Sequence, residues 1–183
     1  MTKNASTLFD RFIAAFKPSR IRQFGKLHYS PNFKQSRTFV LAWDSKLALT
    51  DKKHIAQYIE YLKNEGKQVV RIVYFDVKTK DDTPLVPEVN TFHIGRWDFD
   101  RSGYPKGAEL KNILRQDIDF FISLDLVGEP HFIGMATISK AACKVAYLEQ
   151  NTLQIFDVLL KQNEKQGMKQ YLCDLKEYLN KLG

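Results

Sequence analysis

Two kinds of segment alternate along residues 38–182, and this alternation constrains the fold more than any other feature. Short runs dense in β-branched and aromatic residues occur at 38–43 (TFVLAW), 68–75 (QVVRIVYF), 119–124 (DFFISL) and 143–147 (CKVAY). Continuous apolar runs of that length mark strands buried on both faces. Between them lie stretches of helical period. Residues 51–65 place Ile55, Tyr58, Ile59 and Leu62 on one face, with Asp51 near the start and Gly66 as a stop. Shorter helices are expected at 108–116 and 131–141. A closing helix at 165–182 aligns Met168, Leu172, Leu175, Leu179 and Leu182. A loop with Pro84 and Pro87 leads to a weaker strand at 90–94, and 153–160 reads as strand or helix. Strands parted by helices require crossover connections. The expected fold is therefore α/β: a doubly wound, mainly parallel sheet in a Rossmann-like three-layer sandwich.

Length allows one such body and no second. A chain of 183 residues hides roughly 70% of its unfolded surface in a single core. No apolar run approaches the roughly 18–20 residues of a membrane span, and the start MTKNASTLFD lacks the apolar stretch of a secretory signal. Cys143 and Cys173 lie far apart inside apolar segments. Both read as small core hydrophobes rather than a disulfide. A cytoplasmic location is expected.

Charge divides the chain at residue 37. Lys3, Arg11, Lys17, Arg20, Arg22, Lys26, Lys34 and Arg37 face only Asp10 in residues 1–37, which accounts for the whole net charge of +7. The remainder is balanced. Residues 1–37 form a basic arm and 38–183 the α/β domain. Within the arm, 5–17 reads as an amphipathic helix, with Leu8, Phe9, Phe12, Ile13 and Phe16 on one stripe and Pro18 as its limit. Residues 18–37 form an irregular connector.

Lys17, Arg20, Arg22, Lys26, Lys34 and Arg37 are interleaved there with Phe24, His28, Tyr29 and Phe33. Cations neutralise phosphates and release counterions, while aromatic rings stack on unpaired bases. The leading expectation is a non-enzymatic protein that binds RNA, with ribosomal RNA and ribosomal proteins as partners. Its binding residues would be Lys17, Arg20, Arg22, Phe24, Lys26, His28, Tyr29, Lys34 and Arg37. Rival readings are a solvated tail, aromatics that merely pack the arm onto the domain, docking on an acidic protein as an interaction module, or an anionic membrane surface. Asp10 and the retained Met1 count against a cleaved transit peptide.

The rival of a different class is an enzyme acting on a nucleotide or sugar phosphate. Open parallel sheets bind ligands beyond the carboxyl ends of their strands, which here carry Asp44 and Ser45, Asp76, and Asp125. Three carboxylates at one edge could hold a divalent ion or act as acid and base. Asp and Ser also cap helices after strands as routine, and no glycine-rich phosphate loop is present. Asp98, Asp100, Ser102, Gly103 and Glu109 match the spacing of a calcium loop. Pro105 at position 8 and the missing entering helix favour an ordinary charged turn. His28, His54, His93 and His131 show no zinc spacing. Neither cysteine has a C-x-x-C partner, and no nucleophile elbow occurs. No cofactor is expected.

The runs TFVLAWDS, NEGKQVVRIVYFD, DIDFFISLDL and FIGMATISKAACKVAY together resemble an uncharacterised bacterial family of α/β domains, a domain of unknown function. That resemblance covers most of residues 5–180. It implies a basic, often helical N-terminus before a small Rossmann-like body, and no activity. Residues 119–147 are also faintly similar to part of the N-terminal half of heptosyltransferase-like glycosyltransferases. That likeness implies kinship of fold only, since the second Rossmann half that would hold the donor sugar is missing.

Overall fold

A computed structural model describes residues 32–79, 88–147, 155–160 and 167–181. Six strands, β1 (Thr38–Asp44), β2 (Gln68–Phe75), β3 (Thr91–Gly95), β4 (Phe120–Ser123), β5 (Cys143–Tyr147) and β6 (Val158–Leu160), form one sheet in the order β3-β2-β1-β4-β5-β6. Every neighbouring pair is parallel. The chain lays down β1 to β3 towards one side, returns to the centre at β4, and completes the other side. The order thus reverses between β1 and β4, which is the topological switch point of a doubly wound fold.

Four helices, α1 (Leu49–Asn64), α2 (Ala108–Leu114), α3 (Pro130–Ile138) and α4 (Met168–Lys181), cover the two faces. Alternation along β1 shows how. Phe39, Leu41 and Trp43 join Ile55, Tyr58, Ile59 and Leu62 of α1 and Met168, Leu172, Leu175 and Leu179 of α4 in one core. Val40 and Ala42 point the opposite way, into a second core with Leu110, Ile113 and Leu114 of α2 and Phe132, Met135 and Ala136 of α3. Side chains of successive strand residues face opposite sides of a sheet, so a strand with an apolar residue at each position must be sandwiched. The expected three-layer architecture is found, with every strand pairing parallel.

Differences from the sequence reading are local. Within residues 153–160 the structure forms β6, whose Val158, Leu159 and Leu160 pair with Val145, Ala146 and Tyr147. Cys143 is buried as expected, but Cys173 is exposed. It occupies the outward side of α4, between Leu172 and Leu175, and its thiol is not part of either core. Among the described residues no helix is long and apolar enough to cross a membrane.

The packed body begins before β1. Phe33 is 3% exposed. Its ring meets Phe39 edge-on at 5.9 Å and stacks with Tyr61 at 6.5 Å. By its sequence setting Phe33 is a candidate for base stacking; in the structure it is core. Lys67 fixes the same turn. Its ammonium donates to the carbonyls of Phe33 at 2.6 Å, Ser36 at 2.9 Å and Lys34 at 3.3 Å, and lies 4.6 Å above the Phe33 ring. Three carbonyls use all three donors of an ammonium, which is how a lysine only 8% exposed avoids the penalty of an uncompensated buried charge. Hydrogen bonds to charged groups contribute about 1.5–3 kcal/mol each, so this turn is firmly held.

Candidate functional site

Two edges of the sheet carry the residues of interest, and they are opposite each other. β1 runs seven residues, about 23 Å at 3.3 Å per residue, from the arm's attachment at its amino end to Asp44 at its carboxyl end.

At the carboxyl edge, Asp44 ends β1, Asp76 directly follows β2, and Asp125 lies two residues beyond β4. Each has separate work. Asp76 pairs with both Lys46 and Arg96. The Arg96 guanidinium, and then the Lys46 ammonium, hold its carboxyl down at about 2. Lys46 and Arg96 side chains are 65% and 55% exposed, so this triad contributes little to stability. Asp44 accepts from the Lys46 N–H at 2.6 Å, closing the turn after β1. The residue preceding α1 is Ala48, without a side-chain cap. The turn between β4 and α3 wraps around Asp125, whose carboxylate accepts from the N–H groups of Val127 at 3.0 Å and Glu129 at 2.5 Å, and from that of Gly128. Gly128, with φ of 82°, supplies the left-handed step that turns these amides inward. Successive amides of this kind form an anion cradle. Here the chain's own carboxylate fills it.

Burial nevertheless pushes the Asp125 carboxyl up against the pull of those amides. Glu129 is raised too, by burial and then by Asp125, Asp44 and Asp76. The crevice at the switch point is therefore carboxylate-rich and suits a cation or a proton better than a phosphate. Between the ends of β4 and β5, Ser123, Asp125, Phe132 and Tyr147 line a depression with room for about one water molecule. Among the described residues, no three His, Cys, Asp or Glu side chains converge as a metal-binding group.

The loop from Asp98 to Glu109 likewise turns its carboxylates onto its own backbone. Asp98 accepts from the Gly95 N–H at 3.1 Å. Asp100 accepts from Ser102 at 2.8 Å and Tyr104 at 2.9 Å, while Glu109 sits exposed in the first turn of α2.

Sequence reasoning missed His131. It is 9% exposed, stacked on Tyr74 at 3.7 Å between ring centroids, with Phe132 at 4.4 Å and Phe99 at 5.6 Å. Its buried Nε2 has no hydrogen-bond partner among the described residues. Burial depresses its pKa to about 4, against the opposing effect of Asp76, so the imidazole is neutral at pH 7. A motif search tests histidines by spacing, and this one is defined by the Tyr74 and Phe99 rings, which come from distant parts of the chain.

At the amino edge, Lys34 and Arg37 of the arm are both exposed. The Arg37 and Thr38 N–H groups donate to Asp119 at 2.7 and 2.9 Å. Lys17, Arg20, Arg22, Phe24, Lys26, His28 and Tyr29, with the helix expected at 5–17, lie outside the described residues.

The family of unknown function designated DUF6913 has a model that matches residues 22–182. This chain belongs to that family. Neither the curated proteins nor the solved structures gave a match, so no similarity to heptosyltransferase-like enzymes is shown. The match to DUF6913 begins at Arg22, inside the basic connector, so the later part of the connector and the α/β body fall within one family unit.

Proposed function

We propose that this DUF6913 member is a non-enzymatic, ribosome-associated RNA-binding protein of the cytoplasm, with its basic N-terminal arm as the affinity element. One observation carries the reading: the entire net charge of +7 sits in residues 1–37, beside a body whose charges balance. Two structural features support it. The body holds the base of the arm rigidly through Phe33 and Lys67, which gives the cations a fixed point of departure. At the carboxyl edge, where a nucleotide phosphate would sit, Asp44, Asp125 and Glu129 are close enough to act on one another as charges, and the amide cradle is filled by Asp125.

The test keeps the chain whole, because cutting at residue 37 would remove Phe33 from the core. Lys17→Gln, Arg20→Gln, Arg22→Gln and Lys26→Gln are combined, and affinity for folded ribosomal RNA is followed against salt. With about five phosphate contacts, the wild-type slope of log affinity on log salt is roughly −3.5 to −4.5. Losing four contacts makes it shallower by about 3. Equal slopes for the two proteins would contradict the role of the arm.

A further inference from the structure

We infer that the amino-terminal edge of the sheet is a second phosphate-contacting surface, in which Arg37, Arg115 and Lys140 extend the arm's RNA interface onto the folded body; this rests on the RNA-binding reading above.

In a parallel α/β fold every strand starts, and every crossover helix ends, at the same edge. Helix carboxyl termini carry about half a negative charge and favour cations there, so such a fold gathers lysine and arginine at its amino edge. Arg115 is the C-cap of α2, and Lys140 lies two residues beyond α3. A full positive charge exceeds the half charge that attracts it, so the helix terminus alone does not neutralise either cation.

Backbone hydrogen bonds then bring these cations into one row. The Lys140 N–H donates to the Leu114 carbonyl at 2.9 Å, which seats Lys140 beside Arg115. The Ala142 N–H donates to Ile118 at 2.9 Å, and Cys143 to Asp119 at 2.9 Å. The Asp119 N–H donates to Thr38 at 3.0 Å, next to Arg37. β1, β4 and β5 are neighbours in the sheet, so their starts span only about 10 Å at 4.8 Å per strand. Arg37, Arg115 and Lys140 are exposed, and the ion pairs among the described residues, Lys46–Asp76, Lys63–Glu60, Arg71–Glu88 and Arg96–Asp76, leave them out. Lys34 is exposed beside them. The acids at this edge are Asp117 and Glu65, which are exposed, Asp119, whose carboxylate is turned onto the Arg37 and Thr38 amides, and Asp157, whose carboxylate accepts from the Lys144 N–H. The carboxyl edge, with Asp44, Asp125 and Glu129, faces the opposite way. RNA drawn in by the arm therefore meets cations at the edge where the arm is rooted.

The experiment uses the full chain and folded ribosomal RNA. Arg37→Gln, Arg115→Gln and Lys140→Gln are combined in one variant. A control of equal charge change combines Lys52→Gln, Lys53→Gln and Lys106→Gln, all exposed residues away from this edge. Each lost phosphate contact flattens the salt slope by about 0.7–0.9. The amino-edge variant is expected to show a slope shallower by about 2, affinity at low salt reduced on the order of tenfold or more, and a melting temperature lowered by no more than a few degrees. The control should bind as the wild type does. Equal losses in both variants, or none in the amino-edge variant, would overturn the inference while leaving the arm's role standing. Absence of binding by the wild-type chain would instead remove the reading on which it rests.

Discussion

Gly134→Ala is expected to destabilise the protein by about 3 kcal/mol, the upper range for overpacking a close contact. Helix propensity predicts the opposite sign, since alanine inside a helix is favoured over glycine by about 1 kcal/mol. Geometry decides. A Cβ on Gly134, within α3, would stand 2.0 Å from the Gly103 carbonyl oxygen and 2.9 Å from its carbonyl carbon. That backbone cannot retreat easily. Gly103 has φ of +76° and itself lies against the Pro130 backbone, where its own Cβ would stand at 2.9 Å. Its loop is tied by the two hydrogen bonds that Asp100 accepts from Ser102 and Tyr104. Urea unfolding of both proteins measures the difference. A variant as stable as wild type would show that the loop moves away at little cost.

His131→Phe is expected to change how stability depends on pH. The folded-state pKa of about 4 lies below the value of about 6.5 for an unfolded histidine, so between these limits the unfolded chain binds the proton and the folded chain refuses it. The stability that His131 confers by staying neutral is complete above about pH 6.5. It falls as the pH drops towards 4, by about 3 kcal/mol in total. Phenylalanine keeps a ring against Tyr74, Phe99 and Phe132, removes the unpartnered Nε2 and cannot titrate. The loss of unfolding free energy between about pH 7 and about pH 4.5 should be smaller in the variant than in the wild type by most of that amount. Asp125 and Glu129 also titrate under acid, with the opposite sign because their pKa values are raised, but they are common to both proteins and largely cancel in the comparison. Asp76 responds only below about 4, as pH falls towards about 2. A wild-type slope retained in the variant would place the acid sensitivity elsewhere.

The body is legible in the sequence wherever local chemistry decides local structure. Gln68–Phe75 and Cys143–Tyr147 have the strand limits that their apolar runs imply, and Leu172, Leu175 and Leu179 fall on one face of α4, as helical period requires. Residues 153–160 stay ambiguous by their own letters, because β6 is defined by pairing with β5 and not by its own three residues. The candidate site divides in the same way. The positions of Asp44, Asp76 and Asp125 follow from where strands end. What each carboxylate does depends on partners that spacing does not reveal, such as Arg96 for Asp76 or the turn amides for Asp125. Phe33 shows the point most clearly. An aromatic in a basic connector suits RNA stacking, and it is packing against Phe39, Tyr61 and Lys67, the last two far along the chain, that makes it core.

The arm's proposed role is tested most directly by sedimentation of the endogenous protein through a sucrose gradient, with and without nuclease. Co-migration with ribosomal particles, abolished when their RNA is digested, is the result this account requires. A protein that stays at the top of the gradient in both cases would contradict it.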